Sequence, residues 1–141
     1  MYAKHAAQAY SQIGLETGVA AASPHRLILM LFDGALRAVA DATAHLAAGR
    51  IPDKGHAISN AIGIVQEGLM ASVDQKQGGA LAEQLLQLYD YISRRLLLAS
   101  LRNDAAGLAE VAALLQELRG AWAAIDQTPA ERAGRPELLT A

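Results

Sequence analysis

Residues 24–48 place their apolar side chains on two lines around one helical cylinder. At about 100° per residue, Leu27, Leu31, Ala35, Ala38 and Ala42 mark the first line, and Leu29, Phe32, Leu36 and Ala40 mark the second. Arg26, Asp33, Arg37 and Asp41 gather in a charged strip. The pattern predicts a helix whose apolar arc exceeds half its circumference. One face suffices in an ordinary bundle, so the second line calls for a cover: the protein's own tail, another subunit or a client. Ser23-Pro24 marks the start, because serine is a favoured N-cap and proline's missing N–H has no partner at the first helical position. Gly49 suits the C-cap and Pro52 lies just beyond it.

The same periodicity predicts three more helices. The second spans roughly 53–74, with Ile58, Ile62, Val65, Leu69 and Val73 as its stripe and Ala61 beside them. Gly63 and Gly68 lie off that stripe, and two readings stand: a less stable helix, or close approach by another chain. Gln75–Gly79 reads as a turn. The third helix covers roughly 80–101 with core positions Leu81, Leu85, Leu88, Ile92, Leu96 and Ala99, and Tyr89 beside them. Leu86, Leu97 and Leu101 fall outside its stripe. Asn103-Asp104 caps the fourth helix, about 105–125, with Leu108, Val111, Leu115, Leu118, Trp122 and Ile125 inward. Ala109, Ala113, Gly120 and Ala124 form a small-residue flank there, for ordinary packing inside the bundle or for another helix.

Residues 1–22 read as a mobile arm, 23–126 as the bundle and 127–141, with two prolines and a glycine, as a flexible tail. Four helices joined by short turns give an all-α, antiparallel up-down four-helix bundle.

Composition narrows the chemistry. The chain is 141 residues long, 52% hydrophobic and only 4% aromatic, so its core is aliphatic and one domain suffices. A net charge of −2 without a basic patch argues against nucleic acid. With no cysteine, disulfides and thiolate sites are excluded. No apolar run reaches the ~20 residues of a membrane span, and the N-terminus lacks the apolar core of a signal peptide. The expected setting is soluble and intracellular.

Candidate catalytic groups are sparse. A carboxylate-bridged metal bundle needs Glu-x-x-His pairs, and none occurs. Asp41 and His45 are four residues apart, but two ligands do not make a metal site. His45 with Gly49 four residues on has the spacing of a histidine phosphotransfer bundle, which stands as the alternative function. No nucleophile elbow or phosphate loop is present. Binding remains, with no enzyme activity and no cofactor expected. Surplus apolar lines suit amphipathic helices laid into grooves. The candidate partner-binding residues are Tyr10, Ile13, Leu29, Phe32, Leu36, Leu86, Leu97, Leu101, Ala109 and Ala113, with the arm lying over part of the groove until a client arrives.

Several segments, in order, resemble the flagellin export chaperone (FliS) family. They are Ala22-Ser23-Pro24-His25-Arg26-Leu27-Ile28 with Met30-Leu31-Phe32-Asp33-Gly34-Ala35, then Asp74-Gln75 through Gly78-Gly79, Leu88-Tyr89-Asp90-Tyr91, Arg94-Arg95-Leu96, Leu101-Arg102-Asn103-Asp104, Glu110-Val111, Leu114-Leu115 and Ala121-Trp122. The resemblance implies a cytoplasmic chaperone of flagellar type III export. Such proteins bind the disordered C-terminal segment of flagellin, block premature polymerisation and keep the subunit export-competent. It also implies links to the export gate component FlhA and the anti-sigma factor FlgM. A monomer or weak homodimer is the expected oligomeric state. Asp33 and Arg37 are expected to pair, Gly34 to allow close packing, and Tyr89, Tyr91 and Arg95 to orient the third helix. Tyr10 matches the family's arm tyrosine, but Ala7 stands where an aliphatic residue is usual.

Overall fold

The computed structural model describes residues 23–125. The expected arm and tail, and with them Tyr10 and Ile13, lie outside the described residues. Helix α1 is Pro24–Ala47 and α2 is Ile51–Gly63, which continues through a π-helical stretch, Ile64–Leu69, and a 3-10 turn, Met70–Ser72. Helix α3 is Gln75–Arg102 and α4 is Ala105–Ala124. Each helix packs on its neighbour in sequence, and α4 returns to pack on α1. The described residues thus form an antiparallel four-helix bundle without strands.

Local chemistry sets the ends of α1. Ser23 Oγ accepts the Arg26 N–H at 3.1 Å, as a serine N-cap should. At the other end Gly49 takes φ +75°, where a side chain would be strained, and the chain reverses. Helix α2 begins two residues earlier than its pattern suggests, because Pro52 is accommodated in the first turn.

Both apolar lines of α1 turn inward, which corrects the expectation that the second needs an outside cover. Phe32 is 2% exposed and Leu29 9%, while Leu36 is half-buried and only Ala40 reaches solvent. The reason is geometric: α1 is flanked by both α2 and α4, so it must present an arc wide enough for two neighbours. The charged strip Arg26, Asp33, Arg37 and Asp41 is exposed as expected. Asp33, however, pairs with Arg119 of α4 at 2.5 Å rather than with Arg37.

Gly68 explains the irregular end of α2. A Cβ built there would lie 2.8 Å from Leu31 Cδ2, so the backbone of α2 approaches α1 closely within one chain. The π stretch carries one extra residue per turn and rotates the following side chains. Ile64, Val65 and Leu69 of this stretch are all buried.

At the α3–α4 corner Asn103 adopts a left-handed conformation (φ 51°, ψ 49°) and Asp104 opens α4. Buried Lys54, in the first turn of α2, donates its Nζ to the Ser100 carbonyl at 2.7 Å. That contact pins α2 to the carbonyl end of α3, where the helix dipole favours a cation.

Candidate functional site

The core stripes of α3 and α4 part company at one end of the bundle. Leu81 and Ile125, both expected in the core, are 65% and 52% exposed. This corrects the core assignment, and it locates part of the surplus apolar surface at the ends of the stripes. Between them opens a cleft of about 320 Å³. Ile28 and Phe32 form its α1 wall, and Leu69 and Val73 close the α2 side. Leu81, Leu85 and Tyr89 come from α3, and Leu118, Trp122 and Ile125 from α4. Antiparallel packing explains the convergence, since α1 and α3 begin here and α2 and α4 end here.

Three residue pairs hold the walls. His25 Nε2 donates to the Trp122 carbonyl at 2.8 Å, and Trp122 Nε1 donates to the His25 carbonyl at 3.0 Å. Their rings stack with centroids 5.2 Å apart. Phe32 and Tyr89 meet at 6.4 Å in a tilted pair on the cleft floor. The Asp33–Arg119 ion pair also ties α1 to α4.

A second hollow of about 370 Å³ continues past Leu81 and Leu85 to Gln77 and Gly78. A third, of about 590 Å³, lies beyond Val73 between Met70, Lys76 and Leu86 and has a polar rim. The segment dividing them is a single turn. Asp74 Oδ1 accepts from the Lys76 and Gln77 amides at 3.1 and 3.2 Å, and then Gly79 breaks the helix at φ 56°, ψ −131°. Only glycine adopts that backbone readily. The expected turn at 75–79 is thus a capped turn followed by a break, and regular α3 starts at Ala80.

The other candidate residues scatter. Leu86 borders the third hollow. Leu97 and Leu101 are 52% and 72% exposed on the outside of α3, near Tyr91 and Leu98. Ala109, Ala113, Gly120 and Ala124 all face outward on α4, not into the bundle. Phe32 and Leu29 are buried, so they are not a free docking line. The sequence pattern marks Leu81, Leu85, Trp122 and Ile125 only as core, because periodicity assigns a residue to a face without showing whether that face is covered along its whole length.

The α3–α4 edge carries the polar network. Arg95 Nε donates to Glu110 at 2.8 Å and Arg95 Nη2 reaches Asp104 at 3.3 Å, while the Tyr91 hydroxyl donates to the other Glu110 oxygen. The Tyr91 hydroxyl and the Arg95 guanidinium hold the Glu110 carboxyl below its usual range. The Gly107 amide, followed by Arg95, does the same for Asp104, although that carboxylate closes no cap hydrogen bond of full geometry. Glu110, and after it Asp104, hold the proton on Arg95 more firmly. Tyr91 and Arg95 therefore fix α3 against α4, as the resemblance implied. His45 receives a hydrogen bond from Arg50 Nε on Nδ1 at 3.2 Å. Its helix stops at Ala47, so the continuing helix that a phosphotransfer bundle wants past Gly49 is missing.

Among the described residues no helix is long and apolar enough to cross a membrane. Residues 6–129 match the profile of the family described as Flagellar protein FliS. The chain is 48% identical over 122 residues to the flagellar secretion chaperone FliS of Salmonella typhimurium, covering 86% of this chain and 90% of that one. It is 43% identical over 122 residues to the flagellar secretion chaperone FliS of Escherichia coli, with the same coverage. To the flagellar secretion chaperone FliSB of Pseudomonas aeruginosa it is 43% identical over 122 residues, covering 86% of this chain and 96% of that one.

Proposed function

The chain belongs to the FliS family of flagellar secretion chaperones, and on that premise we propose that its cleft receives the disordered C-terminal segment of flagellin. The observation that carries this reading is the apolar cleft at the open end of the bundle, with Leu81 and Ile125 at its lips. A flagellin segment that settles there as a helix is withheld from filament assembly and stays unfolded enough for export. Burial contributes about 25 cal/mol per Å² of apolar area. Ordering a disordered client offsets about 2–5 kcal/mol of that gain. The role is non-enzymatic and cytoplasmic. FlhA and FlgM are further partners in this reading.

The exposed α3 residues Leu97 and Leu101 give a second stretch of contact as the client leaves the cleft. In this reading the N-terminal segment, with Tyr10 and Ile13, competes with the client. Removal of residues 1–15 then leaves the helical bundle intact and raises the affinity for a flagellin peptide. Calorimetric titration with the C-terminal segment of flagellin, followed in parallel by Trp122 emission, tests the whole reading. Saturable heat with a shift in emission supports it. No binding in the titration, together with no flagellin retained from cells blocked in filament assembly, overturns it.

A further inference from the structure

The outer face of α3 has its own chemistry, apart from the cleft. Taking Leu98 as the reference direction, Tyr91, Arg94, Leu101 and Arg102 all lie within about 60° of it at 100° per residue. Arg94 precedes Leu98 by one turn and Arg102 follows it by one turn, so two guanidinium groups bracket an apolar ridge about 12 Å long. Tyr91, Leu98 and Leu101 are 40%, 39% and 72% exposed. Tyr91, Arg94, Arg95 and Leu98 enclose a notch of about 250 Å³, room for one side chain.

The charge on this ridge is available. Arg95 is committed to Glu110 and Asp104. Among the described residues Arg94 pairs only with Asp90 on its own helix, at 3.0 Å, with both side chains more than half exposed. Such a pair is worth little and exchanges readily. Arg102 has no ion pair among the described residues. An apolar ridge between two exchangeable cations is complementary to one kind of surface: a leucine-type stripe flanked by carboxylates two turns apart.

We propose that this face of α3 docks an acidic amphipathic helix, with Arg94 and Arg102 selecting carboxylates two turns apart and Leu98 and Leu101 burying its apolar stripe. The inference rests on reading the α3 strip as client surface and adds the chemistry of what sits there. The alternative macromolecule, an anionic lipid surface, fits less well: the ridge is one helix wide, the chain is net negative and Asp90 stands on its flank.

Two designed helical peptides with the same leucine stripe test this. One carries glutamates two turns apart beside the stripe and its twin carries glutamines there. The glutamate peptide should bind the full chain at least tenfold more tightly, and its affinity should fall as salt rises. The preference should vanish in the Arg94→Gln/Arg102→Gln variant, whose far-ultraviolet spectrum and melting temperature should match the parent because both side chains are exposed. Leu101→Ser should weaken both peptides equally. Equal binding of the two peptides, no binding of either, or a preference that survives the double variant overturns the proposal. So does sedimentation with phosphatidylglycerol vesicles that is lost in the double variant, which would assign the ridge to a membrane. The peptides contain no flagellin sequence, so failure here leaves the flagellin titration to stand or fall by itself.

Discussion

His25 and Trp122 exchange two hydrogen bonds across the junction of the first and last helices, each side chain meeting the other's backbone carbonyl. Because Trp122 offers a carbonyl oxygen, His25 must carry its proton on Nε2. Replacing His25 with Ala removes one hydrogen bond, worth about 1 kcal/mol, and a ring stack worth about 0.5–1.5 kcal/mol. The expected loss is about 1.5–2.5 kcal/mol, read from the urea midpoint with Trp122 emission as the signal. His25→Gln, which keeps a donor, should recover part of it.

Leu81 and Phe32 face the same cleft but stand on opposite sides of its surface. Leu81→Ser should leave stability within about 0.5 kcal/mol of the parent, since the side chain is already exposed. It should weaken a flagellin peptide by tenfold or more if the client fully buries that leucine, which is worth about 1.5–3 kcal/mol. Phe32→Ala should instead cost about 3–5 kcal/mol of stability, because the ring is 2% exposed. Thermal melts beside calorimetric titrations separate the two.

Lys54 serves the backbone of α3 more than its side chains. Its Nζ lies 2.7 Å from the Ser100 carbonyl and 3.4 Å from Ser100 Oγ. Lys54→Met keeps the length and leaves that carbonyl with only the long 3.4 Å hydrogen bond from the Asn103 N–H, at a cost of about 1–3 kcal/mol. Ser100→Ala should cost well under half as much. Equal losses in denaturant midpoints would place the contact on the hydroxyl instead.

Acid should loosen the α3–α4 corner. Asp104 and Glu110 both titrate lower in the folded chain than in the unfolded one. Their contribution is therefore complete above about pH 4–5, the usual carboxylate range, and is lost as pH falls through the folded values. The urea midpoint of the parent should drop between pH 5 and 3 more steeply than that of Arg95→Met or Glu110→Gln. Parallel profiles would remove the network from the acid response.

The helix boundaries of α1 were legible because their causes are local: a serine hydroxyl, a proline ring and a glycine at positive φ. The interior of α2 was not. Its π stretch accompanies the seating of Gly68 on Leu31, a contact between residues far apart in sequence. Periodicity placed Phe32 on a second line correctly and explained that line wrongly, because it shows how wide an apolar arc is and not how many neighbours share it. The cleft was hidden for a related reason. Leu81 and Ile125 continue their stripes in phase, and only the packed bundle reveals that nothing opposite reaches as far as they do. Asp33 was matched to Arg37 by spacing, whereas Arg119 comes close only once α4 has folded back.

The clasp between His25 and Trp122 also makes the bundle nearly a ring. The first turn of α1 and the last turn of α4 are adjacent, so a short linker would seal them and the solvent-exposed reversal at Gly49 and Arg50 offers a place to open the circle. Every helix of such a permutant would keep the neighbours it has now, while its new ends would leave from the far side of the molecule and any label fused to them would stand clear of the cleft.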